Sequence, residues 1–299
     1  MDPCAAAALG RHVRAPREKR AGSGRLNAPA RPRARARTRQ GQTTYGGLSA
    51  ALCLEGARRL LSEAQPAGAA PPPPLRSATI SFVGAAGGAV DVDASVLRQG
   101  KAVAFVNSVL LAEGKRGGKA AATSGTFLFG AARPQSSVDA RLLLAPPPPA
   151  LPGPESCGAL FGGGWTAPVF TQHFEARLAA GALPGTGAPT ADLFVWVRHE
   201  GADEQSGRVD SVAGEVALLA LADMLPPAAC SLFPHEAPVS SATWHINILA
   251  AAPRPYPGGW WLLRTRCEHA HHGYSSQDME LWGRNGCAAV GRQCVAIYA

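Results

Sequence analysis

One carboxylate stands out because of its neighbours. Asp223 interrupts the apolar run Leu218-Leu219-Ala220-Leu221-Ala222-Asp223-Met224-Leu225. A charge in such a setting is costly unless it is hydrogen-bonded or takes part in chemistry, and a carboxylate so placed can act as a base toward bound water. The other reading is a carboxylate at a fraying helix end, turned to solvent just before Pro226-Pro227. Tyr45-Gly46-Gly47 opens an expected helix. Exposed amides at a helix N-terminus bind developing negative charge, and glycine lets a ligand approach the backbone closely. Alternatively, the two glycines only relieve crowding where helix meets sheet. Glu268-His269-Ala270-His271-His272 sets His269 and His271 on one face of a strand. A metal needs further ligands from elsewhere, and none is indicated, so this segment reads as a polar hairpin tip before Gly273 and no metal is expected. There is no Gly-x-Ser-x-Gly elbow, phosphate-binding loop or Gly-x-Gly-x-x-Gly fingerprint, so neither serine-hydrolase chemistry nor a nucleotide cofactor is supported and no cofactor is expected.

Charge distribution narrows the partners. The formal net charge is +8, yet residues 1–40 hold eleven Arg or Lys against Asp2 and Glu18, a local +9 that leaves −1 for the remaining 259 residues. Phosphate tracking needs clustered cations on a folded surface, so nucleic acid is not an expected partner. Seven cysteines form no Cys-x-x-Cys pair, which fits neither a disulfide framework nor a zinc site and suits a reducing, cytoplasmic setting. No stretch reaches about eighteen uninterrupted apolar residues, so no membrane span is expected. The Arg-rich N-terminus weakly resembles an organellar transit peptide, which leaves import open; a disordered extension or an early start codon is the plainer account.

Elements follow from periodicity. Residues 1–40 are Ala/Arg/Pro-rich and read as a disordered tail. Leu48, Ala51, Leu52, Ala57, Leu60 and Leu61 recur at helical spacing, giving a buried helix that Gln65-Pro66 ends. Strand-like segments follow over 78–83, 89–96, 102–106 and 120–129. Four consecutive prolines mark a linker. Beyond it come strands over 170–178 and 193–198, a helix from Asp210 to Leu225, and strands over 242–248, 260–266, 277–282 and 291–298.

The order is repeated. Ala78-Thr79 corresponds to Ala242-Thr243, Gly87-Gly88 to Gly258-Gly259, and Gly100 to Gly273, at offsets of 164, 171 and 173. Such drift is how a duplicated domain behaves. A long central helix wrapped by an antiparallel sheet is the hotdog arrangement, so the expected fold is α+β, a tandem hotdog with halves at 41–130 and 160–299, joined by a linker over 131–159. The sheets should meet edge to edge, with a cleft between the helices.

Several segments, taken in order, carry a resemblance: Gly41-Gln42-Thr43-Thr44-Tyr45-Gly46-Gly47, His173-Phe174-Glu175-Ala176-Arg177, Trp196-Val197-Arg198, Ala220 to Pro227, Trp260 to Thr265, and Val290-Gly291-Arg292-Gln293. Over residues 41–299 the chain resembles the double-hotdog, type II acyl-CoA thioesterases. The resemblance implies hydrolysis of a fatty acyl-CoA by an activated water held by Asp223, Gln293 and a strand-opening hydroxyl. That hydroxyl, usually Thr, falls on Ser241, with Thr243 as the alternative. Tyr45, Gly46 and Gly47, at the amide-exposing start of the first helix, and Thr243 are the expected substrate contacts. One departure is the missing strand or two before the first helix. An acyl-binding protein without turnover and, less favoured, a hotdog dehydratase or hydratase are the competing readings. A homodimer of the double unit is left open, as are acyl length and head group.

Overall fold

The computed structural model describes residues 39–40, 43–66, 68, 70–114, 117–133, 151–161, 167–202, 214–250 and 252–298. Two short strands, β1 (Arg39–Gln40) and β2 (Thr43–Thr44), pair with each other. Helix α1 (Gly46–Glu63) leads into β3 (Leu75–Phe82), β4 (Asp91–Gln99), β5 (Val103–Glu113) and β6 (Lys119–Gly130). The second half adds β7 (Phe174–Ala180) and β8 (Asp192–His199) before helix α2 (Glu215–Ala222). It then repeats the pattern with β9 (Val239–Ile248), β10 (Trp261–His271), β11 (Tyr274–Gly283) and β12 (Gly286–Ile297).

Ten strands form one antiparallel sheet in the order β4-β5-β6-β3-β9-β12-β11-β10-β8-β7. Outward from the β3–β9 seam, one side runs β3-β6-β5-β4 and the other β9-β12-β11-β10. The fold is therefore the expected double hotdog, its sheets joined edge to edge. At the seam Ile80 faces Trp244, a separation of 164, the same offset that relates Ala78-Thr79 to Ala242-Thr243. The approximate two-fold axis thus passes through this buried pair.

Small residues let α1 lie close to the sheet. Ala50, Cys53, Leu54, Ala57 and Leu61 are buried, and a Cβ on Gly56 would come 2.5 Å from Val92 Cγ1. Helix α2 is anchored at its start by Glu215, whose carboxylate accepts from the Leu75 amide at 2.7 Å and pairs with Arg58 of α1. One half's second helix is thereby tied to the other half's first helix and seam strand.

Three expectations need correction. The strand expected over 170–178 begins only at Phe174, because Val169–His173 form a 3-10 turn. Phe170 in that turn stacks on Tyr45, centroids 4.3 Å apart, and Thr171 Oγ1 donates to the Pro168 carbonyl at 2.8 Å. Helix α2 ends at Ala222, not Leu225, because the Met224 amide bonds back to the Leu221 carbonyl and two prolines follow. The tail expected over 1–40 includes Arg39–Gln40, which is paired strand. Residues 1–38, the proline run at 146–149 and the expected helix start at Asp210 lie outside the described residues. The histidine segment does end in a hairpin tip: His272 and Gly273 both take positive φ, 50° and 75°, as a tight two-residue turn between β10 and β11 requires.

The two outer strands differ. Beside β7 runs the chain from Gly158 to Leu160, with Leu160 N–H donating to the Ala176 carbonyl and Leu178 N–H to the Gly158 carbonyl. Among the described residues, β4 pairs only with β5.

Candidate active site

Asp223 follows α2 as its C-cap residue, with φ −97° and ψ 11°. It is a helix-end carboxylate, as one reading had it, but it points inward to a cavity and not to solvent. A cavity of about 420 Å³ opens where the two helices meet, and Asp223, Gln293, Ser241 and Gly46 all line it. Gln293 Nε2 donates to Asp223 Oδ1 at 2.5 Å, and the Gly47 amide at the start of α1 donates to the same carboxylate. Burial nonetheless dominates and pushes the carboxyl pKa from 3.8 up to about 7, although both donors pull it down.

Gly46 and Gly47 permit this contact. A Cβ at residue 46 would lie 2.6 Å from Asp223 Oδ2; one at residue 47 would lie 2.5 Å from the Ala220 carbonyl oxygen. The glycines therefore serve helix crowding as well as amide exposure, and Gly47 spends its amide on Asp223. Neither Gly47 nor Tyr45 lines the cavity. The Tyr45 hydroxyl donates to the Ala220 carbonyl at 3.2 Å and its ring is buried against Phe170, so Tyr45 packs the helix junction, away from the cavity where substrate contact was expected.

A β-bulge selects the hydroxyl. On β12, Cys294 pairs with Thr243 but Val295 pairs with Ser241, so Ala242 is the extra residue in β9. Gln293 and Val295 are buried on the inner face, opposite Trp244 and Ser241. Without the bulge, Ala242 would take that inward position and Ser241 would turn outward. Thr243 sits on the other face, is exposed, and does not line the cavity. The structure therefore does not bring Thr243 to the cavity with Asp223 and Gln293.

The remaining wall is mixed: Phe82, Phe161, Phe170, Met224, Leu225 and Phe233 alternate with Thr43, Ser49, Thr123, Thr171 and Ser240. Cys230 also lines it, but burial, and then the neighbouring Cys267, push its thiol pKa up to about 12. A thiolate nucleophile is not available there at neutral pH. Among the described residues no group of three or more His, Cys, Asp or Glu could hold a metal, and no helix is long and apolar enough to cross a membrane.

Residues 33–130 match the acyl-CoA thioesterase N-terminal domain, and residues 146–297 match the acyl-CoA thioesterase C-terminal domain. The chain belongs to the acyl-CoA thioesterase family. No curated protein matches the sequence. Among solved structures, a hotdog protein of unknown function from Alicyclobacillus acidocaldarius is similar at TM-score 0.68 and 20% identity, covering 89% of this chain and 91% of that one. The tesB protein of Mycobacterium avium subs paratuberculosis is similar at TM-score 0.63 and 14% identity, covering 87% and 90%. The acyl-CoA thioesterase II TesB2 of Mycobacterium marinum gives TM-score 0.54 and 18% identity, covering 84% and 88%. At these identities the likeness is one of fold.

Two polar residues of this family member's site escaped sequence reasoning. Thr44 lines the cavity, is 7% exposed, and its Oγ1 has no partner among the described residues. Gln277, 2% exposed, donates to Gln293 Oε1 at 2.7 Å. A signal for Gln277 was present: it shares period-two spacing with Ser275, Met279 and Leu281, all buried. Thr44 offered none, since a hydroxyl before a helix is ordinarily read as local capping.

Proposed function

We propose that the chain hydrolyses a fatty acyl-CoA or related thioester to free acid and CoA, using water held by Asp223, Gln293 and Ser241. The observation that carries this reading is the 2.5 Å contact between Gln293 and Asp223 at a cavity with four phenylalanines in its wall. A carboxyl group titrating near neutrality is suited to accept a proton from water at physiological pH. In this scheme Asp223 removes a proton as the water oxygen bonds to the thioester carbon. Gln293 and the Ser241 hydroxyl orient that water. Collapse of the tetrahedral adduct breaks the C–S bond, and the sulfur leaves with the proton held by Asp223. The aromatic wall suits an acyl chain.

The test is a panel of acyl-CoAs with detection of released thiol, run on the native chain and on Asp223→Asn. Loss of a general base should lower kcat about 10²–10⁴-fold with acyl-CoA affinity nearly intact. Near-normal turnover by the Asn variant would sink the water-activating role. Tight acyl-CoA binding with no thiol release by the native chain would favour the acyl-binding alternative.

A further inference from the structure

The water-holding trio leaves a buried amide next to it unaccounted for. Gln277 stands opposite Gln293 in the β11–β12 register, and both side chains are buried. Gln277 Oε1 accepts from the Ala228 amide at 2.8 Å, and its Nε2 donates to Gln293 Oε1 at 2.7 Å. Gln293 Nε2 then donates to Asp223 Oδ1. Ala228 opens the 3-10 turn Ala228–Leu232, just past the prolines that follow Asp223. The chain of bonds therefore begins and ends on one loop.

Direction in this relay is forced. A carboxamide has one acceptor end and one donor end, and a backbone N–H can only donate. Ala228 obliges Gln277 to present its oxygen on that side and its NH₂ to Gln293. Gln293 must then accept from Gln277 and turn its own NH₂ toward Asp223. We propose that Gln277 is a positioning residue that fixes the orientation of the Gln293 amide, so that donors and not an acceptor face Asp223 and the water beside it. Were Gln293 reversed, its carbonyl oxygen would confront the carboxylate, favouring protonated Asp223 and removing the base.

Asp223 is faced from the start of α1 by the Gly47 amide and by the N-cap residue Tyr45, and from β12 by Gln293; the exposed Glu236 lines the same cavity. The Tyr45 phenol is pushed up, by burial first and the charge of Asp223 second, so it stays neutral over the working range.

The consequence for turnover rests on the hydrolytic reading; the consequence for Asp223 does not. Two readouts separate them: the pH dependence of kcat/KM, and an infrared titration of the Asp223 carboxylic C=O band, identified by subtracting Asp223→Asn. Gln277→Glu replaces the donor with an acceptor, and Gln277→Met removes the relay without adding charge. The midpoint should rise in both, by about tenfold in proton affinity or more for the Glu variant, with kcat falling more than KM changes. In a Gln293→Ala background, Gln277→Met should move the midpoint no further. If Gln277→Glu fails to fold by circular dichroism, the Met variant carries the test. An unchanged midpoint in Gln277→Met, or an equal shift with and without Gln293, overturns the proposal. A native chain without turnover but with the infrared shifts would retire the hydrolytic reading and keep the relay.

Discussion

Asp223 is held in tension between burial and its two hydrogen-bond donors, and pH exposes both. Its pKa near 7 should set the acid limb of the kcat/KM profile, with rate rising as the carboxylate forms. Stability runs the other way. The folded pKa lies above the ordinary 3.8, so between those values the folded chain keeps a proton that the unfolded chain releases. The resulting stability is complete below about 3.8 and is lost as pH rises through about 7, by at most about 4 kcal/mol. Asp223→Asn should abolish this slope, gaining on the native chain at pH 8 relative to pH 5 in urea denaturation. An unchanged slope would mean that Asp223 ionises freely. At the same scale, Ser241→Ala should lower kcat while Ser241→Thr retains most of it, and Thr243→Ala on the outer face should do neither. Thr44→Val, close in shape, removes a buried hydroxyl without a partner among the described residues and should raise the melting temperature slightly. Asp223 was legible because a carboxylate is conspicuous among leucines. The choice between Ser241 and Thr243 was not, because one bulged residue reverses which of them faces inward, and no periodicity announces a bulge.

Elements were read in their true order, because a buried face leaves its period in the sequence, but the strand expected over 102–106 runs on to Glu113 and the one over 260–266 to His271. The failures fall where tertiary contact overrode local pattern. Phe170 belongs to a turn because Tyr45 offers it a stacking partner from the other half. α2 stops short because the chain tightens before Pro226. The close approach of α1 to α2 makes a sharp expectation. Gly47→Ala would place a methyl 2.5 Å from the Ala220 carbonyl, a backbone atom that cannot swing aside. Forcing the helices apart should cost about 1–3 kcal/mol and lengthen the Gly47 bond to Asp223, depressing turnover as well. Gly153→Ala, at φ −67° with nothing within 4 Å, is the control and should be neutral in thermal melts. Equal melting temperatures for the two variants would show that the helices yield easily.

On the scale of the molecule, the halves share one ladder and one core, since β3 and β9 pair directly and the central apolar cluster draws residues from both. They should unfold together. Trp244→Ala at the two-fold axis should cost about 3–5 kcal/mol and leave a single transition in chemical denaturation; two separated transitions would contradict a common core. The repeat itself was readable because the Ala-Thr pairs keep their offset where the seam forbids insertion, while the glycine turns drift in loops that tolerate it. The treatment of the two outer strands has a consequence for crowding in solution. The middle of β7 is covered by the chain from Gly158 to Leu160, which takes the Ala176 carbonyl and the Leu178 amide, whereas β4 lacks such a cover among the described residues. A sheet with one receptive side cannot propagate: a second molecule docking there would present its own β4 in return, and both would then be spent. Association along β4 would therefore close at two copies, unlike the open-ended growth that two receptive sides would allow.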